Sequence, residues 1–274
     1  MKLAHDIEGD LEHTIPPEGG ADSQWLFGAM TERSLALLEL RAGERALDLA
    51  CGMGQDALAL ADGLAGGFAE SGDGPSALRP VGLEPSNRMI RFAQWQARRR
   101  RDGSPKVMFV RALAEELPFA TETFDAILCK GAMDHFMEPA LTMAEVGRVL
   151  KPGGRAVLAI ANFDSLSCRL GRWWDQWSGA GARRPKGETH PYYEPPPDHM
   201  TRFGHTEILA LARPPLKVAR VEGLSLLWQF PPWSARLARL PKKMGNRLAR
   251  GAGFVARSAP SQADVIVLQA VKES

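Results

Sequence analysis

The chain has 274 residues, 45% hydrophobic and 24% charged, with a formal net charge of +2. Those numbers fit a folded α/β domain with one sizeable core; they exclude a disordered chain and supply no bulk charge for holding nucleic acid. No run of about 18 apolar residues offers a membrane-spanning helix, and the opening MKLAHDIEGDLEH lacks the apolar stretch of a secretory leader.

Residues 1–24 are polar, with Pro16, Pro17, Gly19 and Gly20, and read as a loose arm before a single domain over 25–274. Leu26, Met30, Leu37 and Leu40 recur at helical spacing, so 24–40 is expected to be a helix. RALDLA is a short apolar strand; a glycine turn follows at Gly52 and Gly54, and Ala57, Leu58, Ala61 and Leu64 mark the next helix. The Gly, Ser and Pro residues of 66–79 make a surface loop. A second strand, PVGLE, closes on Glu84, and Pro85 and Ser86 open a helix whose last turn is the basic run Arg98–Arg101. That run reads as a solvated helix end, where cations suit the dipole, with no aromatic companions for nucleic acid.

KVMFVRA and FDAILCKGA are the third and fourth strands, and MEPALTMAEVGRVL is a helix. KPGG reads as a turn and RAVLAIAN as the fifth strand. Strands alternating with helices from 45 to 162 predict βαβ units and a parallel sheet covered on both faces. The texture changes over 163–206, where Trp173, Trp174, Trp177, Tyr192, Tyr193 and three consecutive prolines suggest an inserted lid. HTEILALA is a helix, VARVEGLSLLW a strand and ADVIVLQAVK a final strand. Cys51, Cys129 and Cys168 stand far apart without metal-type spacing, which predicts reduced thiols in a cytoplasmic protein and no metal.

A parallel sheet binds ligands at the carboxyl ends of its strands. Gly52 and Gly54 let the backbone turn tightly and approach a ligand there. No GxxxxGK[ST] loop is present. Asp48, inside the first strand, would repel a pyrophosphate and attract an ammonium group. Glu84 can accept both hydroxyls of a ribose. A ribose, a cationic amino acid end and no phosphate together describe S-adenosylmethionine.

The stretches ALDLACGMGQDAL, VGLEPSNRMI, AEELPFATETFDAILC and LKPGGRAVLAI resemble, in order, those of class I S-adenosylmethionine-dependent methyltransferases, notably small-molecule and quinone methyltransferases. The resemblance covers about 44–160. It implies a Rossmann-like, doubly wound seven-stranded sheet, mostly parallel with an antiparallel last strand. It implies Asp48, Ala50, Gly52 and Gly54 around the methionine part and Glu84 on the ribose. Pro85 and Ser86 would flank the adenine, with Leu113 and Ala114 on its other side, and Lys130, just past the fourth strand, would offer its backbone to the amino acid end. Where the family often has an aspartate for the adenine amino group this chain has Leu113, so that bond falls to Glu115, to backbone or to water.

Methyl transfer is an in-line displacement that needs positioning more than an obligatory catalytic residue. Candidate bases are Asp134 and His135 after the fourth strand and Asp198, His199 and His205 in the insertion; His135 and His199 lead. No DPPY-type motif follows the fourth strand, which argues against DNA base flipping. Residues 223–263 contain no Asp or Glu but seven Arg and Lys among leucines and aromatics. Such a segment either covers the sheet or lies on an anionic membrane surface to meet a lipid-like acceptor. Two alternatives remain: a nicotinamide-dependent oxidoreductase, against which stands an acid 30 residues past Gly54 instead of roughly 20 past the glycine motif, and a non-catalytic relative that only binds.

Overall fold

Burial on both faces makes the central strands uniformly apolar, and a chain alternating such strands with helices closes into a layered sheet. The computed structural model describes residues 21–68, 79–100, 107–178, 191–195 and 199–273. The arm at 1–20, most of the loop at 66–79, Arg101, Asp198 and 179–190 of the expected lid lie outside them.

The chain runs α1 (Ala21–Leu38), β1 (Ala46–Leu49), α2 (Gln55–Phe68), β2 (Val81–Leu83), α3 (Asn87–Arg99), β3 (Met108–Val110), β4 (Phe124–Lys130), α4 (Pro139–Val149), β5 (Leu150–Ala161), α5 (Leu166–Ser178), α6 (His205–Leu211), β6 (Lys217–Leu224), α7 (Pro231–Ala238), α8 (Lys242–Ser258) and β7 (Val265–Val271). The sheet has seven strands in the order β3-β2-β1-β4-β5-β7-β6. β7 is antiparallel to both β5 and β6; the pairs from β3 across to β5 are parallel.

Three expectations need correction. α1 begins at Ala21, so the polar opening segment gives way to helix before residue 24. Lys130 is the last residue of β4, paired with Ala159, and does not follow the strand. KPGG is not a turn between elements but an irregular stretch inside β5: Leu150 pairs with Phe124 and Arg155 with Ala126, leaving 151–154 opposite the single residue Asp125. Gly153, at φ +75°, supplies the backbone reversal there.

Side chains alternate across each strand. Leu47, Leu49, Ile127 and Cys129 join the core under α4 and α6, with Met143, Val146 and Ile208. Ala46, Ala126 and Leu128 join the opposite core under α1, with Leu26, Met30 and Leu37. The same alternation sends Asp48 and Lys130 to the α1 and α2 face. A residue pattern with period two has thereby delivered an acid and a base to one side of the sheet, at its carboxyl edge.

Candidate active site

The switch in strand order falls between β1 and β4, and the turn after β1 opens there. Ala50 (φ +59°), Gly52 (φ +51°) and Gly54 (φ +84°) all adopt left-handed backbone. The two glycines differ in purpose. A Cβ on Gly52 would meet only the Met89 Sδ at 3.7 Å, so this residue faces open space. A Cβ on Gly54 would lie 2.8 Å from the Ala93 Cβ and 3.0 Å from the Phe109 ring. Gly54 therefore lets α2 start close against α3 and β3.

Glu84, buried at the end of β2, holds the turn in place. Its Oε2 accepts the Gly52 N–H at 3.0 Å and its Oε1 accepts the Ser86 N–H at 3.0 Å. Ser86 in turn caps α3, accepting from the Met89 N–H. Each carboxylate oxygen has two lone-pair sites, so a carboxylate held here is an acceptor built for several donors at once.

Asp48 is buried at 2% exposure, and its Oδ2 has no partner within the protein. Burial first, then the neighbouring Asp56, pushes its carboxyl well above the usual carboxylate range, against the pull of Lys130 and a hydrogen bond from the Ala57 N–H. Sequence reading treats Asp48 as a standing charge; in the structure its carboxyl is held toward the neutral form. Lys130 is already committed, since its Nζ reaches Asp56 Oδ2 at 2.7 Å and Thr31 Oγ1 at 2.6 Å. Sequence reading missed Thr31 and Asp56; the acid in the first turn of α2 was the available signal.

Toward the expected adenine side stand Pro85, Leu113 and the buried Ala114. Glu115 is fixed by its Oε1, which accepts from the Met137 and Glu138 N–H groups ahead of α4. Arg111 is a further residue missed, its Nε donating to the Pro85 carbonyl at 2.8 Å.

Beyond β4 a 3-10 turn, Met133–His135, presents the second cluster. His199 Nδ1 lies 3.0 Å from Asp134 Oδ2. The His135 and His199 rings meet edge-on with centroids 4.4 Å apart. Burial drives the Asp134 carboxyl up, but contact with His199 and the charges of both histidines outweigh it and leave the carboxyl below its ordinary range. The Met200 and Thr201 N–H groups bond the Asp134 carbonyl, which explains how a residue 65 positions away is brought here. Asp134, His135 and His199 have donor atoms within 4.8 Å of one another, a metal-capable set that no sequence spacing announced.

His205 is placed apart, as the first residue of α6. Tyr192 and Tyr193 brace α5: their hydroxyls donate to the Ser167 carbonyl at 2.7 Å and to Asp175 Oδ2 at 2.6 Å. The basic end of α3 does have aromatic companions, contrary to expectation, because Arg99 lies over the Trp95 ring at 4.6 Å, next to Phe92.

A seven-stranded sheet with its last strand reversed, a glycine turn after β1 and an acid after β2 define the Rossmann-like methyltransferase class. The chain belongs to the methyltransferase domain family, whose model matches residues 40–180. It is 36% identical over 139 residues to a demethylmenaquinone methyltransferase of Clavibacter sepedonicus, covering 51% of this chain and 48% of that protein. It is 30% identical over 154 residues to the 27-O-demethylrifamycin SV methyltransferase of Amycolatopsis mediterranei, covering 56% and 51%. The chain thus spans about half the length of these curated relatives. The crystal structure of YcgJ from Bacillus subtilis shares the fold, with a TM-score of 0.55 and 22% identity over 90% of this chain and 99% of that one.

The residues present fit the family's cofactor, S-adenosylmethionine. The orphaned Asp48 oxygen suits an ammonium, Gly52 leaves a side chain's space free, and Glu84 is a carboxylate fixed against the same turn, the acceptor chemistry that a diol needs.

Proposed function

We propose that this chain transfers a methyl group from S-adenosylmethionine to a small or lipophilic acceptor. The observation that carries the reading is the orphaned, buried Asp48 oxygen beside the open Gly52 turn that Glu84 pins. When bound, the cofactor supplies an electrophilic methyl group on a sulfonium. Asp48 ionises against its ammonium, and Ala50, Gly52 and Gly54 shape the turn around its methionine part. Lys130 contributes its backbone at that end and, through Asp56, fixes the start of α2. Glu84 accepts from the ribose hydroxyls, and Pro85, Ser86, Leu113 and Ala114 sandwich the adenine.

Asp134 and His199 act as a dyad at the acceptor's side. Asp134 orients His199, which takes the acceptor's proton as the methyl arrives; His135, packed on its ring, limits its rotation. Residues 163–206 serve as the lid over that acceptor, with α5 as its braced part and 207–274 as sheet completion and cover. The names of the two curated relatives, a demethylmenaquinone and a 27-O-demethylrifamycin SV methyltransferase, favour a lipophilic acceptor methylated on carbon or oxygen. Work in the cytoplasm, with 223–263 resting on the inner membrane surface, suits such an acceptor. Among the described residues no helix is long and apolar enough to cross a membrane, so contact is peripheral.

An oxidoreductase is disfavoured because Glu84 lies 30 residues past Gly54 instead of roughly 20 past the glycine motif, and because an ionised Asp48 would repel a pyrophosphate. Calorimetry with S-adenosylmethionine, S-adenosylhomocysteine and NAD decides the cofactor: saturable binding of the first two alone is expected, and binding of NAD alone overturns the reading. Turnover on a demethylmenaquinone and on 27-O-demethylrifamycin SV, the acceptors that the relatives' names give, then separates the enzyme from a relative that only binds.

A further inference from the structure

Small residues let two helices approach closely, and what surrounds the contact is left as surface. α8 presses Gly245, Ala249, Gly253 and Ala256 inward, and the ring of Trp25 from α1 occupies the space that a Cβ on Gly253 would need. Beside this contact α1 and α8 leave a groove of about 420 Å³ whose rim includes Trp25, Glu32, Arg33, Arg250, Phe254 and Arg257. Arg33 is paired with Glu222 in a two-bond contact. Arg250 and Arg257 make no hydrogen bond or ion pair among the described residues, although Arg257 does act through space on Glu222.

The outer face of α8 has two stripes. Met244, Leu248 and Val255 are exposed at 47%, 45% and 55%. Arg250 and Arg257, seven residues apart, share one side of the helix and line the groove, whereas Lys243, seven residues earlier, lies outside its lining. Phe254, 73% exposed, lies between the two.

We infer that the groove between α1 and α8 seats the phosphate headgroup of an anionic lipid, with Arg250 and Arg257 as its ligands and Phe254 and Trp25 at the acyl boundary. The inference rests on the reading of 223–263 as a membrane-facing segment and names the place where that segment becomes specific. Guanidinium groups suit phosphate oxygens, and tryptophan suits the interface between headgroup and chain. Exposed aliphatic side chains on the same face favour a bilayer over nucleic acid, which needs stacking rings instead. A second copy of this chain is a poor occupant, since 223–263 carries seven cations and no acid, and like faces repel. Held in this way, the protein keeps a lipophilic acceptor's bilayer against the face of the sheet that α1 covers.

The test uses the full chain and co-sedimentation with vesicles of phosphatidylcholine alone or with phosphatidylglycerol added. Two double variants remove equal charge: Arg250→Gln with Arg257→Gln in the groove, and Lys242→Gln with Lys243→Gln at the start of α8. A generic field weakens both alike, by about thirtyfold at low salt; a headgroup seat weakens the groove pair about tenfold further, the scale of one charged hydrogen bond. Unchanged S-adenosylmethionine affinity shows that both variants fold. Equal losses overturn the seat and leave the membrane contact standing. No binding of the wild type to anionic vesicles overturns both. Tight calorimetric binding of inorganic phosphate without vesicles overturns the lipid assignment in favour of a soluble phosphate.

Discussion

Glu84 and Gly52 are joined by a 3.0 Å hydrogen bond from the glycine N–H to the carboxylate Oε2, so the end of β2 and the turn after β1 move as one piece. Glu84→Ala is expected to weaken S-adenosylmethionine by about 1–3 kcal/mol, and Glu84→Gln by less, since one acceptor oxygen remains. Titration calorimetry measures it; wild-type affinity in Glu84→Ala removes Glu84 from the site.

The two glycines of the turn should fail differently. Gly52→Val meets little in the protein and leaves a folded chain without cofactor binding, carrying about 1–2 kcal/mol of backbone strain from its positive φ. Gly54→Ala collides with Ala93 and Phe109 and is expected to lose about 1–3 kcal/mol in urea unfolding on top of similar strain. Equal stability losses would erase the distinction.

Cofactor binding should release a proton. Burial holds the Asp48 carboxyl high, and an arriving ammonium favours its charged form, so its pKa falls on binding. Calorimetric enthalpies at neutral pH should vary with the buffer's ionisation enthalpy, and Asp48→Asn should abolish that variation. Buffer-independent enthalpies for the wild type would mean that Asp48 does not meet the cation.

His199→Ala should cut turnover about a hundredfold, within the range for a lost general base, while S-adenosylmethionine affinity stays unchanged. The same variant strips Asp134 of its main counterweight to burial. In the wild type, Asp134's contribution to stability is present above the ordinary carboxylate range and lost as pH falls through its lowered folded value. In His199→Ala the folded pKa moves up, so stability falls as pH rises toward that raised value. Unfolding curves from acid to neutral pH show whether the slope reverses.

Asp264, buried where β7 begins, accepts from Ser167 Oγ at 2.5 Å and the Trp228 N–H at 2.9 Å. Burial still pushes its carboxyl up to about 6. The folded state therefore holds this proton more tightly than the unfolded chain, and its contribution to stability is lost as pH rises from about 4 to 6, by about 3 kcal/mol. The lowered acids act below this window, whereas Asp48 slopes the same way. The difference between wild type and Asp264→Asn across the window isolates Asp264.

The sheet was legible in the sequence because uniformly apolar strands and period-3.6 helices are local patterns, and the spacing of Asp48, Gly52 and Glu84 sits on them. What sequence could not express was contact between distant segments. Gly54 and Gly52 look alike until Ala93 and Phe109 pack behind one of them. Nothing local to Glu115 announces that the backbone before α4 holds its Oε1. Asp134 and His199 are far apart in sequence and meet only because the strap at Met200–Thr201 is bonded to the Asp134 carbonyl. KPGG carries every turn signal and is still absorbed by a strand, since its flanks Leu150 and Arg155 both find partners on β4.

The placement of β7 between β5 and β6 has a consequence for the order of synthesis. As the chain leaves the ribosome, β1 to β5 can assemble from neighbours already made, but the outer edge of β5 stays bare while α5 through α8 are built. β6 emerges with no strand to join, and only Val265–Val271 closes both edges at once. A nascent chain stalled before that point exposes an open edge rich in alanine, valine and leucine, the kind that pairs with other chains. Release of the last strand is thus the step on which escape from aggregation depends.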